Sequence, residues 1–462
     1  MKSKQMSRRE LLKLGGIGLG VVALAACQPR TGVDPAPPEE VVAEVDIAVP
    51  ADQTVTIWYW AGGGEHRRNF YNTEVIPLFR DEYPNIEVEI GEVGSWMDLY
   101  NKLMVGAAAG EVPELCRQKD YYMPDFAERG IMEVLDPYYD ATPSLQEEGK
   151  FYHLAWDISH WKGKLMALPP NIFIHYPHMS VKLFEDAGLL EPNGCPPAFD
   201  TWEELREAAA KISELGEGIF GCMPRSEGVS EDTVNWFHVM LTMAGGRLHN
   251  EDFTEFTFNS PEGLDTLKFI VGMYEDGINK PVGVSPPDMI TTDQLGIWWY
   301  AGNYWRTWPE NFPDFRWGTC INPMRQTRGS VLRSNHLALF SEARQKEAAW
   351  AFMEFHMRPD IDYAYGVSQC FVTAQPANWT RPFYSGIYGD NDCALWQTEF
   401  DQLASPDNQA QPSFPGYVEG GFLIAAQLQR AYMMEISPEE ALDIAEREAN
   451  EVLKETIETL GM

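Results

Sequence analysis

Residues 55–116 read VTIWYWAGGGEHRRNFYNTEVIPLFRDEYPNIEVEIGEVGSWMDLYNKLMVGAAAGEVPELC, and the order of patterns within them decides the fold. Val55 to Trp60 is a β-branched and aromatic run closed by Ala61-Gly62-Gly63-Gly64, which reads as a strand ending in a glycine loop. Phe70, Val75, Leu78 and Phe79 then recur at helical spacing up to Tyr83-Pro84, where the proline disfavours helix in the residue before it. Ile86-Glu87-Val88-Glu89-Ile90 alternates as a half-buried strand. A second helix is predicted from Trp96 to about Ala109, and a short third strand around Glu114-Leu115-Cys116. Strand, helix, strand, helix, strand places parallel strands side by side with helices on their faces, which is an α/β architecture.

Helix starts further along are written in capping residues. Thr201-Trp202-Glu203-Glu204 is a capping box before the apolar stripe Trp202, Leu205, Ala209 and Ile212. Ser260-Pro261 and Ser437-Pro438 each place a cap and then proline at the first helical turn.

The chain before residue 54 reads differently. Ser7-Arg8-Arg9-Glu10-Leu11-Leu12-Lys13 is a twin-arginine export signal, followed by an apolar run from Leu14 to Ala26 that is shorter than the roughly 20 residues of a membrane helix. Leu24-Ala25-Ala26-Cys27 resembles the lipobox of bacterial lipoproteins, so residues 1–26 are expected to be removed and Cys27 to carry lipid. Residues 27–53 are rich in Pro, Ala, Val and acids and lack aromatics, the composition of a disordered tether. An extracytoplasmic protein, lipid-anchored to the membrane, is the expectation. The formal charge of the chain is −34. Removing residues 1–26, with five bases and one acid, leaves about −38, a field that repels phosphate backbones and argues against nucleic acid as a partner. The six cysteines after Cys27 form no C-x-x-C pair, so zinc and thioredoxin-type sites lack support, and which of them pair as disulfides is not readable.

Several blocks fall in a familiar order. FRDEYPNIEV (79–88), GEVPEL (110–115), FAERGIMEVLD (126–136), KGKLMALP (162–169), LFEDAGL (183–189), AFDTWEEL (198–205), GNYW (302–305) and KEAAWAFMEF (346–355) together resemble the family 1 extracellular solute-binding proteins, the carbohydrate-binding components of ABC importers that include maltose-binding protein. HYPHMS (175–180) stands where that family carries a Tyr-Tyr-Asn-Lys-like run, and GNYW has one residue more than its Gly-x-Trp turn. The resemblance implies two α/β lobes joined by three crossovers, near Pro170–Asn171, Asn335 and Phe371–Thr373, with a central ligand cleft. The lobes would comprise residues 54–170 plus 335–372 and 171–334 plus 373–462. It further implies a monomer without enzymatic activity, cofactor or metal, whose partners are a carbohydrate and the transmembrane subunits of an importer.

Sugars present apolar ring faces and a girdle of hydroxyls, so their sites need aromatic platforms and planar polar groups. Trp60 and Gly63 at the first glycine loop, with Glu65 after it, are candidates, whereas Trp58 is expected in the core. Asp120 and Tyr121 follow the third strand, where ligands of open α/β sheets bind. Asn171 sits at the first expected crossover, Trp236 on a helix from Thr233 to Met243, and Tyr304 and Trp305 in the Gly302 turn are the expected stacking platforms. Trp298, Trp299 and Tyr300 read as a buried strand with one face exposed. Three other readings stay open at this stage, one of them a two-lobed protein that senses its ligand and signals to a partner other than a transporter. A tethered glycan-active enzyme needs paired carboxylates, which 69 acids supply without discriminating, while no G-x-S-x-G or H-E-x-x-H motif is present. A binding protein for a polyamine or metal draws on the acid excess or on His175 and His178.

Overall fold

The computed structural model describes residues 54–60, 64–91, 93–223, 228–279, 286–385, 387–388 and 391–462. The export signal with Arg8 and Arg9, the lipobox with Cys27, the tether and Gly63 lie outside them. In chain order the elements used below are β1 (Val55–Trp60), α1 (Gly64–Phe70), β2 (Ile86–Gly91), α2 (Trp96–Ala109), β3 (Leu115–Lys119), β4 (Leu168–Ile174), β5 (Tyr176–Ser180), α3 (Trp202–Ser213), β6 (Phe220–Met223), α4 (Glu231–Met243), α5 (Pro261–Glu275), β7 (Leu295–Tyr300), β8 (Trp317–Thr319), β9 (Val331–Leu339), α6 (Lys346–His356), α7 (Pro359–Gln369), α8 (Trp396–Leu403), β10 (Gln409–Ala410), α9 (Tyr417–Tyr432) and α10 (Pro438–Leu460).

Ten strands make two sheets. The larger runs β10-β9-β3-β1-β2, with β4 also paired to β9, and the smaller runs β8-β5-β7-β6. β1 is parallel to β2 and β3, as the strand-helix alternation requires, while β9 returns antiparallel to both β3 and β4. The chain leaves the large sheet for the small one at His175, between β4 and β5, and comes back between Thr319 and Val331. Pro169 and Pro170 therefore lie inside a strand and do not end it. β9 is the one strand paired with β4 among the described residues, its other side carrying a single bridge from Ile172 to Val372, and such an edge tolerates residues that lack an N–H.

Local signals act as the sequence reading expects at most helix starts. Thr201 Oγ1 accepts the Glu204 N–H (3.2 Å), but the Glu204 carboxylate reaches back one residue further, to the Asp200 N–H (2.7 Å). Ser260 and Ser437 cap α5 and α10 through the N–H of Gly263 and Glu440, each at 3.1 Å. α2 also starts on a full capping box, Ser95 with Asp98. The first helix departs from its regular pattern. A π-turn over Tyr71–Val75 inserts one residue per turn, which rotates Ile76 and Phe79 inward and leaves Leu78 half exposed.

One core runs under both sheets, with eight tryptophans among its fully buried residues or at their limit. Trp298 and Trp299 are both buried, so β7 is covered on each face and lacks the exposed face expected of it. Trp58, expected in the core, is 53% exposed. Cys195 and Cys393 form a disulfide, and Cys116, Cys222, Cys320 and Cys370 are buried free thiols. Among the described residues no helix is long and apolar enough to cross a membrane, and no group of three or more His, Cys, Asp or Glu side chains is placed to hold a metal.

Candidate ligand-binding site

The site follows from how far β3 projects. Its register with β1 sets Trp60, the last residue of β1, against Cys116, so Arg117 to Lys119 extend past the end of their neighbour. Paired residues share a face, and alternate residues along a strand return to it. Arg117 and Lys119 of β3, Arg333 and Asn335 of β9, and Asn171 and Phe173 of β4 therefore share the Tyr59 face of the large sheet, at the carboxyl end of its parallel strands. Ligands of open α/β sheets gather at that end.

Half-buried Trp96, at the start of α2, covers this edge. Its ring centroid is 5.2 Å from the Arg117 guanidinium carbon and 5.6 Å from Lys119 Nζ. The Tyr121 ring lies 5.3 Å from Lys119 Nζ and 5.6 Å from the Arg333 guanidinium carbon. Phe173 meets Phe371 edge-on at 4.7 Å, and Phe371 in turn stands 5.9 Å from Arg117. Beyond Phe173 the chain reaches His175, whose ring is 5.7 Å from Tyr300 of β7 in the small sheet. Tyr300 and Tyr304, 4.9 Å apart, are partly exposed and carry the aromatic surface onward.

Three candidates read from sequence come together here. Asp120 is buried; its Oδ2 accepts the Ser334 N–H (2.8 Å) and its Oδ1 the Tyr121 N–H (3.0 Å). Burial pushes its carboxyl up to about 6, against the opposing pull of Arg333, the Ser334 N–H and Lys119. The Tyr121 hydroxyl and Asn171 Nδ2 are buried polar atoms with no hydrogen-bond partner, while Asn171 Oδ1 stands 3.5 Å from Asn335 Nδ2.

The other candidates sit elsewhere. Trp60 faces the opposite side of the large sheet, because it is one residue out of phase with Tyr59, and Lys102 Nζ lies over its ring at 4.1 Å. It lines a cavity of about 1030 Å³ with Trp58, Lys102 and Glu114 on that far face. Glu65 is exposed on α1. Trp236 is buried edge-on against Trp299 at 5.9 Å, on the core side of β7. Trp305, expected to be a platform, is fully buried between Trp396 at 4.9 Å, Trp317 at 6.0 Å and His178 at 5.8 Å. Consecutive residues of the 3-10 turn Gly302–Arg306 point apart, so Tyr304 stays on the surface cluster while Trp305 fills the core. His178 is buried against Tyr176, and desolvation pushes its imidazole down to about 3, which keeps it neutral and structural. Sequence reading missed Trp96, Arg117, Lys119, Phe173 and Arg333; the signal available was the run Arg117-Gln118-Lys119-Asp120, charged where a strand ends.

A profile of bacterial extracellular solute-binding proteins matches residues 69–361. The chain belongs to that family. A binding protein of Brucella abortus is 25% identical over 392 residues, 83% of this chain and 90% of its own. Among solved structures, an ABC transporter solute-binding protein from Thermotoga lettingae bound with alpha-D-tagatose is similar at a TM-score of 0.74 and 24% identity, over 87% of this chain and 100% of that one. An ABC substrate-binding protein from Listeria monocytogenes in complex with cycloalternan reaches a TM-score of 0.75 at 19% identity, with the same coverage of each chain. The fold is the two-lobed one of periplasmic binding proteins, and the family places the protein outside the cytoplasm.

Proposed function

We propose that this solute-binding protein captures a sugar or oligosaccharide between its two sheets and delivers it to an ABC importer, without catalysing a reaction. The observation that carries the reading is the carboxyl edge of the large sheet. There the half-buried rings of Trp96 and Phe173 flank a Tyr121 hydroxyl and an Asn171 Nδ2 that lack partners. Rings suit the apolar faces of a sugar, and unpaired donors suit its oxygens. A polyamine fits this edge poorly, because Arg117, Lys119 and Arg333 stand on it. Each sheet would anchor one lobe, and because all of β4 and β9 belongs to the large sheet, the lobe bounds expected at 170/171 and 334/335 would move to the passages between sheets. Closure would hinge at His175 and the 320–330 return. A monomer tethered through lipidated Cys27 after twin-arginine export completes the reading.

A thermal-shift screen against mono-, di- and oligosaccharides, with polyamines and divalent cations as controls, tests it. A ligand at a hundred times its dissociation constant stabilises the fold by about 2.7 kcal/mol. A saccharide that raises the midpoint and is recovered unchanged is the expected result; stabilisation by polyamines or cations alone, or consumption of the sugar, overturns it. Cys27→Ala is expected to move the protein from the membrane fraction to the soluble one, and retention at the membrane counts against the anchor.

A further inference from the structure

The chain has 35 basic residues against 69 acidic ones, yet its ligand edge gathers cations. Arg117, Trp96, Lys119, Tyr121 and Arg333 form an alternating series of charges and rings in which each neighbouring pair lies 5.2–5.6 Å apart. Burial, and after it the nearby Arg67 of α1, pushes the Arg117 guanidinium down from its ordinary value. The carboxylate of the group is Asp120, whose oxygens already accept the backbone N–H of Tyr121 and Ser334.

Arg117 is the anomaly. It is 1% exposed, and its Nε and Nη1 have no hydrogen-bond partner. A buried cation is costly unless it is paired and hydrogen-bonded, and a guanidinium is shaped to hold a carboxylate or phosphate by two parallel bonds. The Tyr121 hydroxyl and Asn171 Nδ2 add further buried donors without acceptors on the same edge. Among the described residues, then, Arg117 Nε and Nη1, the Tyr121 hydroxyl and Asn171 Nδ2 meet no acceptor oxygen.

We propose that the ligand is an acidic saccharide, a uronate or a sugar phosphate, whose anionic oxygens sit against Arg117, Lys119 and Arg333 while its ring lies along Trp96 and Phe173. This rests on the saccharide-receptor reading above and narrows it. The overall negative charge of the protein then selects against anionic polymers at long range, and the local cations accept a small anion at contact range, where screening and burial favour them.

Calorimetric titration of the purified protein with galacturonate, glucuronate and their short oligomers, and with hexose phosphates, is compared with galactose, glucose and maltose, and with inorganic phosphate. One acidic class is expected to bind about ten-fold or more tightly than its neutral parent, the effect of one charge-assisted bond, and to weaken with salt. Arg117→Met is expected to abolish that preference, so that the acidic sugar binds no more tightly than its neutral parent, and Arg117→Lys to restore part of it. Because Arg117 is buried, Arg333→Met at the half-buried rim and Lys119→Met, less deeply buried than Arg117, repeat the test, each read only if its melting temperature matches the wild type. Neutral sugars binding as tightly as acidic ones, or an acid preference unchanged in all three methionine variants, overturns the proposal and leaves the receptor reading intact. Inorganic phosphate binding as tightly as the sugar phosphate marks an anion site without sugar recognition and also overturns it. If no saccharide of either kind binds, both readings fall together.

Discussion

Glu399→Gln is expected to be more stable than the wild type by roughly 4 kcal/mol at pH 8.5, by roughly 2–3 kcal/mol at pH 6.5, and by little at pH 4. Glu399 on α8 is buried beneath the Gly302 turn, where a side chain at residue 302 would meet its Oε2 at 3.1 Å and Trp396 at 3.2 Å. The Tyr176 hydroxyl donates to that oxygen at 2.9 Å. Desolvation dominates these bonds and pushes the carboxyl from 4.5 up to about 8. The sign follows from proton uptake. Between pH 4.5 and 8 the folded protein holds a proton that the unfolded chain has released, so stability falls as pH rises through that window and is lowest above it. Glutamine keeps an oxygen for Tyr176 and has nothing to ionise, so the variant's curve lacks this slope. Urea unfolding of both proteins from pH 6.5 to 8.5 isolates Glu399 as the difference between them, because the other buried titrating groups, Asp362 among them, are common to both. Parallel curves for the two proteins would sink the assignment. A neutral Glu399 also leaves the turn that presents Tyr304 without a buried charge beneath it at pH 7.

What was legible in the sequence is what depends on neighbours along the chain. Caps at Thr201, Ser260 and Ser437, the alternation of β2 and the span of α2 are local, and local physics suffices for them. The positions of Asp120, Tyr121 and Asn171 were legible for a related reason: each is near a strand end or a passage between sheets, and α/β sheets gather ligands there. The rest hinges on register between strands far apart in sequence. The alternation of Trp58 and Trp60 fixes that they share a face, but only pairing with Cys116 and α2 decides that this is the face away from Arg117. The charged run after Glu114 reads as the end of a strand. It stays in the sheet because β9, more than 200 residues later, supplies an antiparallel partner for Leu115 to Lys119, and the rings of Trp96, Tyr121 and Phe371 cover its cations. Trp305 and Tyr304 are indistinguishable by composition, and one turn of 3-10 helix sends them to opposite fates.

Breaking the Cys195–Cys393 bridge is expected to have the largest single effect on stability, about 5 kcal/mol, lowering the denaturant midpoint while leaving the spectroscopic signature of the folded state unchanged. The two residues are 198 apart, so the closed loop spans nearly half the folded chain. Cross-linking so long a loop removes the most conformational freedom from the unfolded ensemble, although the stabilisation grows only with the logarithm of loop length. The bridge also has a local task. A side chain at Gly318 on β8 would meet Pro196 at 2.9 Å and the Cys393 Cβ at 3.6 Å, so the bridged segments lie directly over the outer strand of the small sheet. An open sheet edge invites pairing with another chain, and covering it is one of the ways proteins prevent this. Export places the protein where such a bond persists. Unfolding in urea with and without a thiol reductant, set beside the Cys195→Ser/Cys393→Ser variant, reads the effect; reduction and substitution are expected to shift the midpoint equally. Alkylation of the denatured, unreduced protein should label Cys116, Cys222, Cys320 and Cys370 and spare Cys195 and Cys393. A midpoint insensitive to reductant, or label on Cys195, would remove the bridge from the account.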